Sequence, residues 1–248
     1  MHSMSTRKNK LRYKIIFDHP QYVIVNKPAG MLSVPERFTD KVSLRKLLNE
    51  RYGRIYVVHR LDQYTSGIIL FAKNKESHRT WNQLFEQRKV NKKYHAITSG
   101  IFREESGVID LPILPLPGQN RVVISKQGKS SQTAFKVLRQ MKNHSFVELD
   151  LLTGRTHQIR VHLEAHGNPL LVDPVYGGNT EFFVSDVKGK QRYNLEKGTE
   201  ERPLLTRTPL HAHQLIFTDP FDGEERTFEV EMPKDMRATL YQLEKWNN

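Results

Sequence analysis

The first group of residues that could do chemistry lies in the segment VHRLDQYTSGIILFAK, which spans Val58–Lys73. Within it, Arg60 and Asp62 stand between an apolar pair and an apolar run that is typical of a buried strand. An aspartate in such a place is costly unless it is paired or opens into a cleft. Asp62 is therefore expected to be paired or to face a cleft, although capping a turn with help from Ser66 is the commoner role of a single aspartate.

A second group occupies Thr153–Leu163, which reads TGRTHQIRVHL. It contains two arginines, two histidines, a glutamine and no acidic residue. If a helix begins near Thr156, Arg160 lies one turn from His157. A helix face exposed to water usually mixes acids with bases, so an arginine without a local acid favours an external carboxylate or phosphate.

A third group is the basic pair before Tyr94, in the run KKYHA at 92–96. A tyrosine flanked by cations can stack on a nucleobase while a lysine binds phosphate. Packing in the core is the commoner fate of one tyrosine, so this segment alone decides nothing.

Hydrophobic periodicity predicts the elements that must position these groups. Strands outnumber helices and several follow one another, which favours an α+β fold with a large, mostly antiparallel sheet. The charged stretch Phe183–Pro209 is expected to be a long surface excursion, either a functional loop or a tolerated insertion. Asp110–Gly118, with three prolines, is expected to be an irregular connection. Predicted strands are Tyr22–Asn26, Ile68–Ala72, Lys93–Thr98, Arg121–Ser125, Thr133–Leu138, Phe146–Leu152, Leu210–Thr218 and Arg226–Glu231; predicted helices are Ser43–Tyr52, Lys75–Arg88, Thr156–His166 and Asp235–Trp246.

Composition narrows the class of protein. The 248 residues include 39 Lys and Arg against 27 Asp and Glu, a net charge of +12, and no cysteine. Since Asp219–Asn248 holds eight acids and four bases, the positive charge lies elsewhere, which indicates a polyanionic partner or a generic basic surface. Without cysteine there is no disulfide scaffold or thiolate metal site, and we expect a cytoplasmic location. No apolar run is long enough to span a membrane. We expect residues 1–10 to be a tail or tag remnant and residues 11–248 to form one domain.

Taken together, these segments resemble the RluA family of pseudouridine synthases. The similarity runs in order from about Phe17 to Pro233, and the HRLD and GRTHQIR motifs are each specific. The matching motifs are VNKPAGMLSVP at 25–35, HRLDQYTSG at 59–67 with Ala72, KKYHA at 92–96, GRTHQIRVH at 154–162, GNPLLVDPVYG at 167–177 and LHA at 210–212.

The resemblance implies a fold and an activity. The fold would be an eight-stranded mixed sheet, mostly antiparallel, with flanking helices and an RNA-binding cleft across its middle. The activity would be isomerisation of uridines in structured ribosomal or transfer RNA to pseudouridine, by a monomer without cofactor or metal. With only about 16 residues before the first motif strand, we expect no N-terminal S4-type domain. The implied catalytic residues are Asp62, Tyr94 and Arg160; the implied RNA contacts are Arg60, Lys27, Arg155 and Gln158.

Other readings stay open at this stage. A non-catalytic RNA-binding module explains the charge equally well. A hydrolase using Ser66, His59 and Asp62 lacks a nucleophile elbow, and its three residues lie too close in sequence. A zinc deaminase lacks its cysteines. The sequence does not decide whether Asp62 would attack C1′ of the ribose or act as a base on the sugar.

Overall fold

The computed structural model describes residues 12–36, 39–189 and 200–246. Within these ranges the chain forms twelve strands and five helices. The strands are β1 Lys14–Asp18, β2 Tyr22–Lys27, β3 Tyr56–Val57, β4 Ser66–Ala72, β5 Val90–Ser99, β6 Ser106–Asp110, β7 Ile113–Pro115, β8 Val122–Ile124, β9 Gln132–Gln140, β10 His144–Leu151, β11 Leu210–Thr218 and β12 Glu225–Glu229. The helices are α1 Leu44–Tyr52, α2 Lys75–Glu86, α3 Gln158–Ala165, α4 Val184–Lys188 and α5 Lys234–Trp246.

One large mixed sheet organises the described residues. Its strands follow the order β1-β2-β4-β11-β5-β10-β9-β6, with β3 added on β4 and β12 on β11. All pairings are antiparallel except β4 with β11. The α+β fold with a mixed, mostly antiparallel sheet is confirmed, but the sheet has ten strands rather than eight because β3 and β12 extend it off the main path.

The centre of the sheet forms because its strands are continuous apolar runs. Every residue of β4 is buried, and so are most residues of β2 beside it. At the parallel seam, Gly67 has φ +113°, and a Cβ placed there would lie 2.1 Å from the carbonyl oxygen of Ala212. Only glycine allows the two backbones this close, so the seam that holds the Asp62 segment against β11 depends on this residue.

Two helices show how local signals fix the edges of the sheet. The side chain of Asn74 caps α2 by accepting from the backbone N–H of Ser77, and the indole of Trp81 is fully buried. Ser43 caps α1 in the same way, and Leu44 and Leu48 pack into the core. Within the described ranges, every helix is too short or too polar to cross a bilayer.

The structure corrects two predicted elements and adds two strands that the pattern did not predict. Asp110–Gly118 is not wholly irregular, because it contains β7, which pairs with β8 in a separate two-stranded sheet. Helix α3 begins at Gln158, two residues later than predicted. β1 and β6 were not predicted, since most of their residues are exposed or half-buried and give a weak apolar signal.

The stretch at 183–209 is also corrected in part. Residues 190–199 lie outside the described residues. Before them stands α4, and after them Leu205, Arg207 and Thr208 are buried. The backbone of Leu205 bridges to Phe182. The last part of this stretch is therefore packed structure beneath the cleft rather than a surface excursion.

Candidate active site

Asp62 lies where three cavities meet, on the loop between β3 and β4. The largest cavity, about 650 Å³, extends toward Lys92 and Phe85, and a second of about 430 Å³ extends toward Tyr64. A small cavity of about 60 Å³ lies between them, and Asp62 lines all three. The side chain of Asp62 is 21% exposed, so the carboxylate is held by the protein yet reachable from the cleft.

Arg160 connects Asp62 to a buried second carboxylate. From α3, its Nε and Nη2 donate to the two oxygens of Asp173 at 2.7 and 2.8 Å, and its Nη1 lies 3.4 Å from Asp62 Oδ2. Burial alone would lower the pKa of the Arg160 guanidinium, but Asp173 and Asp62 raise it. Because two parallel bonds to Asp173 fix the guanidinium plane, Nη1 is aimed at Asp62.

His157 stands beside the same carboxylate in a strained backbone conformation. Its φ of 52° is unusual for a residue other than glycine, and its Nε2 lies 3.8 Å from Asp62 Oδ2. The Tyr176 hydroxyl accepts from the N–H of Val122 at 2.9 Å and lies 3.1 Å from His157 Nδ1. This contact holds the imidazole with Nε2 toward Asp62. Burial lowers the pKa of His157, which favours the neutral ring.

Tyr94 faces the cleft from β5. It lines the large and the small cavity, and only 5% of its surface is exposed. Burial raises the pKa of its hydroxyl, and the nearby Asp62 charge raises it further. The structure therefore brings Asp62, Tyr94 and Arg160 together, and Tyr94 is protonated at neutral pH.

The predicted RNA contacts divide into two pairs. Arg60 and Arg155 are exposed and line the cavities around Asp62. Within the described part of the chain, nothing makes a hydrogen bond or an ion pair with the Arg60 guanidinium. Its charge is therefore available to a ligand.

Lys27 and Gln158, in contrast, have structural roles, which corrects their prediction as RNA contacts. Lys27 is fully buried, and its Nζ donates to the carbonyls of Pro28, Met31 and Gln63 at 2.8–3.2 Å. Gln158 accepts from the backbone N–H of Arg155 and donates to the carbonyl of Gln132, both at 2.9 Å. Lys27 ties down the Asp62 loop, and Gln158 ties the start of α3 to β9.

The contacts of Ser66 and His59 argue against a hydrolase. Ser66 is buried, and its hydroxyl bonds His211 Nδ1 at 2.9 Å. His59 accepts from the backbone N–H of Leu70 at 3.0 Å and stacks on Phe85. Burial lowers the pKa of His59 to about 3. The two side chains brace β4 and do not form a nucleophile–base pair with Asp62.

Two groups of possible metal ligands occur among the described residues, away from the cleft. In the first, the rings of His95 and His213 are stacked 3.8 Å apart at 9° beside Glu148, which Lys93 already pairs. Nitrogen lone pairs of parallel rings lie in separate planes and do not converge on one ion. The second consists of His19, Asp219 and Asp222. Asp219 and Asp222 are both held by Arg226, so neither group offers a ready site.

Sequence reasoning missed three residues of the site: Asp173, His157 and Tyr176. Asp173 and Tyr176 belong to the GNPLLVDPVYG segment, which was matched to the family without a role. A buried arginine on α3 requires a carboxylate, and Asp173, in an apolar run, is the signal that could have found its partner.

The fold and the cleft define a class of enzyme. A carboxylate aimed by a buried arginine, next to a protonated tyrosine and the free guanidinium of Arg60, suits acid–base or nucleophilic chemistry on a polyanion such as a nucleic acid.

Comparison with known proteins identifies the family. The family model described as RNA pseudouridylate synthase matches residues 21–165, more than half of the chain. The chain is 38% identical to the dual-specificity RNA pseudouridine synthase RluA of Vibrio vulnificus, over 84% of this chain and 78% of that protein. It is 32% identical to the ribosomal large subunit pseudouridine synthase D of Buchnera aphidicola, over 93% and 73%. The solved structure of human RNA pseudouridylate synthase domain containing 4 superposes with a TM-score of 0.69 at 26% identity, covering 93% of both chains.

The chain therefore belongs to the RNA pseudouridylate synthase family, and its predicted kinship with the RluA-type enzymes is confirmed. It is an isomerase that acts on uridine in RNA.

Proposed function

We propose that Asp62 is the carboxylate that starts the conversion of specific uridines in structured RNA to pseudouridine. The observation that carries this proposal is the position of Asp62 at the meeting point of three cavities, 3.4 Å from the Nη1 of a guanidinium that Asp173 fixes. The guanidinium of Arg160, which Asp173 fixes, holds the Asp62 carboxylate in one orientation.

The reaction balances with the groups of the site alone. The N1–C1′ bond breaks, the uracil rotates and C5 bonds to C1′. The proton on C5 is released to water and N1 takes up a proton, so the product is an isomer of the substrate. Asp62 either adds to C1′ and is later displaced, or takes a proton from the sugar and returns it. Each route needs an ionised carboxylate and uses no redox step, metal or group donor, so we propose a cofactor-independent enzyme.

Tyr94 is the proposed partner of the uracil. Its buried ring borders the cavity next to Asp62, so a base placed there can stack on it. Because burial and Asp62 raise the pKa of its hydroxyl, Tyr94 acts as a neutral group. If its hydroxyl assists the loss of the C5 proton, it must pass on its own proton as it accepts another.

Arg60 and Arg155 are the proposed RNA contacts at the cleft. To reach Asp62 a uridine must leave its stack, which costs a few kcal/mol. The free guanidinium of Arg60, two residues from Asp62, offsets this cost by contacting the RNA where the base leaves. Two relatives bear names for a dual-specificity RNA synthase and a ribosomal large subunit synthase, which supports ribosomal or transfer RNA as the target. The monomeric state and the cytoplasmic location stay predictions.

Tritium release tests this proposal. RNA labelled with [5-³H]uridine, prepared from cells that lack the gene, is incubated with the wild-type protein or with Asp62→Asn. We expect the wild type to release tritium and Asp62→Asn to release none while binding the RNA with similar affinity. Asp62→Asn protein with near wild-type turnover would refute the assignment, and no release by the wild type would refute the activity.

A further inference from the structure

The loop that carries Asp62 is tied to the protein at successive backbone groups. The Leu61 carbonyl accepts from the Ser33 hydroxyl at 2.7 Å, and the Gln63 carbonyl accepts from the Gly30 N–H at 2.8 Å. The Thr65 N–H closes the turn on the Asp62 carbonyl at 3.2 Å. The backbone of this loop is therefore held in one conformation.

Tyr64 lies on this loop with an anchored backbone and a free ring. Its carbonyl accepts from Arg207 Nη1 at 3.2 Å, and the rest of that guanidinium is occupied by Asp235 at 2.6 and 2.8 Å and by the Thr208 carbonyl at 2.9 Å. Arg207 is thus an anchor and not a free phosphate ligand. The Tyr64 residue is nevertheless 48% exposed. A half-exposed aromatic ring on a tethered loop loses little conformational entropy when a ligand covers it.

The ring borders the 430 Å³ cavity on the side of Asp62 that Tyr94 does not line. Val34, Pro35 and Pro174 form part of its wall, and Arg60 lines this cavity as well as the other two. If the target uracil stacks on Tyr94, this second cavity is left for another part of the same RNA strand.

We propose that Tyr64 is a stacking platform for a nucleotide that flanks the target uridine, with Arg60 contacting the backbone between the two. This inference rests on the proposed function and deepens it, because it assigns a second base-binding site to the same cleft. An aromatic ring, an apolar wall and a cation suit a nucleotide, since every base offers a π-face and every linkage a phosphate. Recognition by stacking makes Tyr64 a contributor to affinity more than to the chemical step.

The test compares Tyr64→Ala and Tyr64→Phe with the control Tyr241→Ala, which removes a tyrosine that is 58% exposed from α5. The probe is a synthetic RNA stem-loop around a uridine that the wild-type protein converts, assayed for binding and for single-turnover conversion. We expect Tyr64→Ala to raise the dissociation constant about 5- to 150-fold, the value of one base–aromatic stack. The loss falls on binding rather than on the saturated rate, and Tyr64→Phe and Tyr241→Ala keep wild-type affinity.

A second arm identifies the stacked base. The same stem-loop is made with an abasic nucleotide at each position within two of the target. One of these abasic RNAs lacks the base that stacks on Tyr64. We expect the wild type to bind that RNA as weakly as Tyr64→Ala binds the intact RNA. We expect Tyr64→Ala to bind the intact and the abasic RNA with equal affinity. The inference is overturned if Tyr64→Ala binds the intact RNA with unchanged affinity, or if the affinity losses from Tyr64→Ala and from the abasic nucleotide add fully at every position. In either case, conversion of the uridine by the wild type still supports the proposed function. If the wild type converts no uridine, both fail together.

Discussion

Asp173→Asn separates positioning of the catalytic carboxylate from its chemistry. One oxygen of Asp173 accepts from Arg160 Nη2 and from the N–H groups of Val175 and Tyr176, and the other accepts from Arg160 Nε. An amide keeps one acceptor, and its NH₂ group then faces the Nε–H of Arg160. Breaking a buried ion pair from one side costs about 3–5 kcal/mol. For a chain of this size we therefore expect the melting temperature to fall by about 6–20 °C.

The rate should fall as well, for a different reason. Without two parallel bonds to Asp173, the Arg160 guanidinium is free to turn onto Asp62 and move that carboxylate. A displacement of about 1 Å in a catalytic group costs about 100-fold in rate. Single-turnover tritium release at saturating RNA, measured well below the lowered melting temperature, reports this loss directly.

Asp219→Asn is the matched control for Asp173→Asn. Asp219 is also fully buried, accepts from Arg226 Nε at 2.8 Å and from the backbone N–H of Phe221, and lines none of the three cavities. It should lose similar stability and keep the saturated rate. If Asp173→Asn keeps the wild-type rate, or both variants lose the same rate, the positioning role of Asp173 is wrong.

Three further predictions follow from other contacts. Tyr94→Phe keeps the stacking ring, so a large loss of single-turnover rate without loss of affinity indicates a proton-transfer role, and an unchanged rate excludes it. Gly67→Ala, whose Cβ would meet the Ala212 carbonyl at 2.1 Å, should unfold at much lower urea than Gly53→Ala, where nothing lies within 4 Å. Burial lowers the pKa of His211 to about 4. Below pH 6.5, this histidine therefore binds a proton in the unfolded chain while it stays neutral in the folded chain. Between pH 6.5 and 4 this histidine should lower the free energy of unfolding by up to roughly 1.4 kcal/mol per pH unit, and His211→Gln should flatten that slope in urea titrations.

The central strands could be predicted because burial on both faces makes them apolar from end to end, as in β4 and β2. β1 and β6 could not, since their half-buried residues depend on neighbours that the chain supplies only after folding. The bend before α3, where His157 takes a left-handed conformation, also depends on neighbours that are in place only after folding, so it could not be predicted.

In the candidate active site, the sequence motifs pointed to Asp62, Tyr94 and Arg160, and the structure brings these three residues together. Asp62 and Arg160 are 98 positions apart, so their contact depends on the whole sheet. Lys27, in contrast, has a role that its sequence context did not predict. A lysine in a basic protein is a natural candidate for binding RNA. In the structure, however, the buried Nζ of Lys27 donates to three backbone carbonyls, and no local sequence pattern predicts this arrangement.

The most direct test of the central claim is a map of pseudouridines in total RNA from cells with and without this gene. The deletion strain is complemented with the wild type, with Asp62→Asn, or with the control Asp219→Asn. We predict that deletion removes pseudouridine from one or a few positions, and that the wild type and Asp219→Asn restore it while Asp62→Asn does not. A map that deletion leaves unchanged, or that Asp62→Asn restores, would contradict the account.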